Sequence, residues 1–238
     1  MTESDDVASR DHKISARAGF GVVRVSVDWP ARHDLGIDMV NKLTRAVEDG
    51  DAAAVARLLG GGVEVDAPDM ARRTALELAV KAGHVEIVRL LLAAGADPHQ
   101  QTGEYEELTP LLQAVTWGHT SVVRALLDAG APSCAQGKMS WLPLVVVPDG
   151  ERGREIVDLL LDRGADVNGL MKGWTPLEWA AAGGQVEMVR QLLARGATST
   201  AEALSRAYAR GNESPEGVAK YAAVINALRA ADLDAAGQ

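Results

Sequence analysis

The chain has 238 residues, of which 47% are hydrophobic but only 4% aromatic, and it carries a formal net charge of -9. Such a balance supports a core of alanine, leucine and valine. It argues against a nucleic-acid binder, because phosphate contacts need clustered lysine and arginine and the densest basic pair is Arg72 with Arg73. A lone cysteine, Cys134, excludes an internal disulfide framework and a cysteine-rich zinc site.

The first residues, MTESDDVASR, are polar and acidic where a secretory signal would be basic and then apolar. No apolar run reaches the length of a membrane span. The chain is therefore expected in the cytoplasm, away from membranes. Arginine far outnumbers lysine, which points to a GC-rich bacterial genome. Residues 1–15 predict disorder. Residues 22–29, VVRVSVDW, alternate, with Val23, Val25, Val27 and Trp29 on one face, and Pro30 ends the run. That pattern predicts a strand. It reads as a cap over the apolar side of the unit that follows; a partner-binding strand and a disordered segment remain the other readings. Residues 1–38 form an N-terminal extension on this reading.

From Asn41 onward the sequence repeats. NKLTRAVEDGD from Asn41, TALELAVKAGH from Thr74, TPLLQAVTWGH from Thr109 and TPLEWAAAGGQ from Thr175 line up, and LPLVVVPDGER from Leu142 is a degenerate copy. Each is followed by an apolar helical pattern, as in VEIVRLLLAAGAD and VEMVRQLLARGAT. Within one unit, Thr109 is placed to cap a helix whose first position is Pro110, where a missing N–H costs nothing. Gly118 ends that helix in a left-handed turn. The second helix sets Val122, Val123, Leu126 and Leu127 on one face, and Gly130 closes it. No unit buries its apolar face alone, so stacking must supply the core. In the fourth copy Leu142 replaces threonine and Pro148 falls inside the first helix, which is expected to end near Val147. Residues 201–238 read as a terminal helix pair, AEALSRAYARGN then VAKYAAVINALRAAD, with a tail expected to fray after Asp232.

These residues resemble the ankyrin repeat family. The resemblance rests on Thr-Pro-Leu at 109–111 and 175–177, on the pairs Ala79/Gly83, Ala114/Gly118 and Ala180/Gly184, and on V-x-x-L-L-x-x-G-A at 88–96 and 189–197. It covers about residues 39–200. It implies an all-α solenoid of about five helix-pair repeats with β-hairpin fingers and a C-terminal helical cap, whose usual role is protein binding through finger tips and inner helices. The family's histidine after Thr-Pro-Leu is missing; Glu77, Gln113, Val145 and Glu178 stand in its place.

Candidate chemistry is sparse. His84 and His119 sit at the Gly-His position of the repeat, which the resemblance implies is structural. His99 has only Asp97 beside it, and one pair makes no metal site. Gly60-Gly61-Gly62 lacks the Lys-Ser/Thr of a phosphate loop. Cys134 reads as a packed thiol. No nucleophile elbow is present. Neither an enzyme nor a protein with a metal or cofactor is expected. The tryptophans carry more information. Trp117 ends a first helix, and Trp141 and Trp174 each precede the residue that starts one. By resemblance these positions face the concave groove, so the three are expected to line one surface as apolar anchors; the other reading is a brace between units. Trp179 reads as core. The finger between the second and third units is longer, and its tip, Glu104, Tyr105, Glu106 and Glu107, suits a basic partner.

The expected function is a monomeric protein–protein interaction module that binds another protein, a basic one, through its groove and fingers. An antidote that inhibits a basic toxin such as a nuclease is the alternative. An enzyme site hidden in the N-terminal extension is the remaining rival.

Overall fold

Thr74, Thr109 and Thr175 each stand in extended backbone, and each side-chain oxygen accepts a hydrogen bond from the N–H three residues on. Those caps start three of the eleven α-helices among the described residues. The computed structural model describes residues 32–101, 108–134, 142–198, 200–211 and 215–236. Its helices are α1 (Arg32–Glu48), α2 (Ala52–Gly60), α3 (Ala75–Ala82), α4 (Val85–Ala93), α5 (Pro110–Thr116), α6 (Thr120–Asp128), α7 (Glu151–Asp162), α8 (Pro176–Gly183), α9 (Val186–Ala194), α10 (Thr200–Gly211) and α11 (Pro215–Ala236). A 3-10 turn, Pro143–Val145, lies between α6 and α7.

The helices stack in two rows. The inner row is α1, α3, α5, the 3-10 turn, α8 and α10; the outer row is α2, α4, α6, α7, α9 and α11, each member against the next. Repeat register builds the core. Leu43, Leu76, Leu111, Leu144 and Leu177, one from each unit, form a fully buried inner column. Val55, Val88, Val123, Ile156 and Val189 form its outer counterpart. Truncating one such leucine to alanine is expected to cost about 2–5 kcal/mol, since both lost transfer energy and the cavity count.

The fourth unit departs furthest from its neighbours. Its inner segment was expected to be helical to near Val147, but only the three residues of the 3-10 turn are wound. Leu142 offers no side-chain cap, and Pro148 has no N–H with which to extend a helix. The chain then turns through Gly150 at φ 103° into α7. Gly153, buried in the first turn of α7, is required there: a Cβ on it would lie 1.9 Å from the Pro148 carbonyl oxygen. Despite this, Leu144 and Ile156 keep their places in both columns.

The ends of the array differ. In the first unit Lys42, Arg45 and Arg57 are exposed at positions that the second unit fills with Ala75, Leu78 and Leu90. Those charged side chains give the outward face a polar character, as a terminal repeat requires. The candidate strand at 22–29 lies outside the described residues, and α1 begins at Arg32, upstream of the expected start of the repeats. At the other end α10 packs on α8, and α11 packs on α9 and α10. The Tyr221 hydroxyl donates to the Ala182 carbonyl at 2.7 Å. Helix α11 continues to Ala236, beyond the expected fraying point. Cys134, expected to be packed, is exposed where the chain leaves the stack after Ala131.

Candidate partner-binding surface

Each finger must reverse the chain between one outer helix and the next inner one, and the described fingers do so by different chemistry. Before α3, the Asp69 carboxylate accepts from the N–H groups of Ala71 and Arg73, both at 2.9 Å. Arg73 returns two donors to Asp69 at 3.0 and 2.8 Å and a third to Glu48 of α1 at 2.6 Å. Burial alone would raise the Asp69 pKa. The Arg73 N–H and guanidinium, with help from the Ala71 N–H, outweigh it and hold the carboxyl below the usual aspartate range. The guanidinium's hydrogen bonds to Asp69 and Glu48 in turn raise the Arg73 pKa. Before α8, backbone bonds close the turn: Met171 and Trp174 exchange N–H···O bonds of 2.9 and 3.1 Å around Lys172 and Gly173, both at positive φ. That is the geometry of a tight I′ hairpin.

These turns hold apolar side chains out in water. Met70 is 84% exposed at one finger tip and Leu170 65% at another. Leu108, at the base of the finger before α5, is also exposed. Trp117 is 56% exposed as the last residue of the α5 turn. In contrast, α2, α4, α6, α7 and α9 expose no large apolar side chain among the described residues. The outer face instead carries ion pairs between units: Arg124 with Glu155 at 3.0 Å, Arg163 with Asp128 at 2.6 Å, and Arg195 with Asp158 at 2.8 Å and with Asp162.

The tryptophans separate. Trp117 stands at the turn end of its inner helix, whereas Trp174 stands at the finger end, two units on. The structure therefore does not bring them together. Trp174 is half-buried, its ring 4.7 Å from that of Trp179, with the Arg206 guanidinium of α10 3.5 Å above it. The Trp179 indole N–H donates to the Met171 carbonyl at 3.2 Å. Arg206 also lies 3.8 Å from Glu178. Trp174 thus joins a finger, an inner helix and the terminal pair. Trp141 and the finger residues Glu104, Tyr105, Glu106 and Glu107 lie outside the described residues.

Met70, Leu108 and Leu170 escaped the sequence reading. Their signal was available: each is a large apolar residue inside a turn segment, where the repeat gives it no core position. Glu178 was legible too. Thr-x-x-Glu at 175–178 is a capping-box pattern, and both halves form, with Thr175 N–H on Glu178 at 2.8 Å and Glu178 N–H on Thr175 at 3.3 Å.

The family described as "Ankyrin repeats (3 copies)" matches residues 43–137 and 150–203. The chain belongs to the ankyrin repeat family. The unmatched interval between the two stretches contains the 3-10 turn, where the ankyrin pattern fails. The mouse B-cell lymphoma 3 protein homolog is 32% identical over 230 residues, 81% of this chain and 47% of that protein. The mouse 2-5A-dependent ribonuclease is 45% identical over 62 residues, 26% of this chain and 8% of that protein. The chain thus spans less than half the length of the curated relatives it matches. Both are mouse proteins, and neither supports the bacterial source suggested by the arginine excess. Only ankyrin repeats are found, a family usually without catalytic activity. Among the described residues, no helix is long and apolar enough to cross a membrane.

Proposed function

We propose that this ankyrin array is a protein-interaction module, acting in the cytoplasm, that holds its partner with its fingers and inner helix ends. The observation that carries the reading is the one-sided placement of exposed apolar side chains. Between the two ends of the array, Met70, Leu108, Trp117 and Leu170 all lie on fingers or at an inner helix end, and α2, α4, α6, α7 and α9 have none among the described residues; Ile37 of α1 and Leu233 of α11 are exposed at the ends. Large apolar groups held in water are costly unless a partner covers them, and tryptophan is enriched among residues that dominate binding energy. Trp117 is the apolar anchor, Trp141 a second one at the next unit, and Trp174 the support of the last finger. Glu104, Glu106 and Glu107 around Tyr105 steer a basic protein, in keeping with the net charge of -9. Such a partner includes a basic toxin held by an antidote.

Replacing Met70 and Leu170 together by serine should abolish partner capture with the circular dichroism spectrum unchanged. Trp117→Ala should weaken capture by about 2 kcal/mol. Arg89→Glu, on the outer face, should leave it intact. Loss of the partner in Arg89→Glu alone would move the interface to the outer helices and sink the proposal.

A further inference from the structure

Along the edge opposite the fingers, each turn from inner to outer helix is covered by the unit that follows. The His84 imidazole lies 3.3 Å from the Cβ position of Gly50. His119 lies 2.8 Å from that of Gly83, with its Nε2 3.2 Å from the Lys81 carbonyl. Pro148 lies 3.3 Å from that of Gly118. In the fourth unit the turn glycine, Gly150, stands one place before the repeat position, which is Glu151, and nothing lies within 4 Å of its Cβ position. Between this turn, α7 and the start of α9 lies a notch of about 210 Å³.

The notch is smaller than the roughly 300–1,000 Å³ of pockets that take whole small-molecule ligands, and its size fits one side chain. Val147, Pro148 and Met188 supply apolar walls. Gln191 lines it too. Its amide Nε2 donates to the Arg154 carbonyl at 2.9 Å, and its Oε1 is buried and accepts no hydrogen bond among the described residues. A buried acceptor of that kind favours a ligand that brings a donor. Asp149, Glu187 and Arg154 are the charged lining residues. Glu187 is paired with Arg190 at 2.8 Å, and Asp149 is exposed at the rim. Trp117 is the next feature along the same edge, since it adjoins Gly118, which Pro148 covers.

We infer that this notch is a binding site for a cationic side chain of the protein partner. The aliphatic stem lies against Val147, Pro148 and Met188, an N–H reaches Gln191 Oε1, and the charge sits near Asp149. A neighbouring partner residue packs on Trp117. The inference rests on the protein-binding reading but places its contact on the edge away from the fingers.

The test is a titration of the full chain with acetyl-Gly-Arg-Gly-amide, followed by NMR at the Gly150 amide and the Gln191 side-chain amide. The matching peptides carry citrulline, which keeps the donors without the charge, or norleucine, which has neither. The arginine peptide should shift both resonances saturably, citrulline several-fold more weakly, and norleucine not at all. Gln191→Met should weaken the arginine peptide about tenfold, the size of one lost hydrogen bond to a charged group. Asp149→Asn, on the surface, should weaken it, and Arg154→Gln should strengthen it. Equal shifts from norleucine, unchanged binding in both Gln191→Met and Asp149→Asn, or no shift from any peptide would each overturn the proposal. If the Met70/Leu170 serine variant keeps its partner but the peptide binds normally, only the finger reading fails.

Discussion

The fifth unit starts its inner helix with the reciprocal Thr175–Glu178 cap and ends it at Gly184 in left-handed backbone. The fourth has no side-chain cap, and its inner segment is three residues of 3-10 turn. Yet Leu144 and Leu177 are buried alike, as are Ile156 and Val189. What the fourth unit lacks in its inner helix is replaced on the outside. Its α7 has 12 residues against 9 in α9, and its Glu155, Asp158 and Asp162 take arginines from both neighbouring units. A repeat can therefore lose local helix signals and hold its register through the faces it shares with its neighbours, because stability in such arrays is a sum of unit and interface terms.

The comparison breaks first at Gly153. Gly153→Ala places a methyl group on the Pro148 carbonyl and should cost about 3 kcal/mol in urea unfolding, whereas Gly60→Ala, with open space around it, should gain about 0.5 kcal/mol or more. Equal effects at the two sites would mean that the fourth turn is not tightly constrained. Next in size is the difference in local opening. Backbone amides of 142–150 should exchange at least about tenfold faster than those of 176–184, a gap of about 1.4 kcal/mol; uniform protection would show that the interfaces compensate fully for the missing helix. Thr175→Ala should cost about 1–1.5 kcal/mol and Thr74→Ala less, since both halves of the capping box form only around Thr175. Thermal melting of the two variants checks the order.

The outer ion pairs come below these. Arg195→Gln removes two partners but should cost only about 0.5 kcal/mol, and the loss should shrink in high salt, because all the groups are partly exposed. A large, salt-independent loss would make those pairs the main support of the fourth unit. The last effect concerns the finger closed by charge. Asp69 has a lowered pKa in the folded chain, from an ordinary 3.8, so the folded state binds that proton less readily than the unfolded one. Its contribution is complete above the ordinary value and is lost as pH falls through 3.8 toward the folded value. The stability gap between wild type and Asp69→Asn should be widest near neutrality and close in acid. The Met171–Trp174 turn is bridged by backbone bonds, with the Trp179 indole N–H on the Met171 carbonyl, and its bridge should show no such limb.

Much of the array is legible in the residues themselves. Threonine before a small apolar run can cap a helix, glycine can leave one through positive φ, and a recurrence of about 33 residues must stack to bury leucine and valine in columns. These are local rules, so the caps, the paired helices and the damage at Leu142 and Pro148 follow from the chain alone, as does Glu178 in its box. Tertiary structure decided the rest. Trp117 and Trp174 look equivalent as large aromatics beside helix ends, but one points into water and the other is held between Trp179 and Arg206 of a helix some thirty residues later. Gly150 looks like any turn glycine, and only the folded chain leaves its face open. Exposure and gaps depend on where distant segments come to rest, and no window of sequence contains that distance.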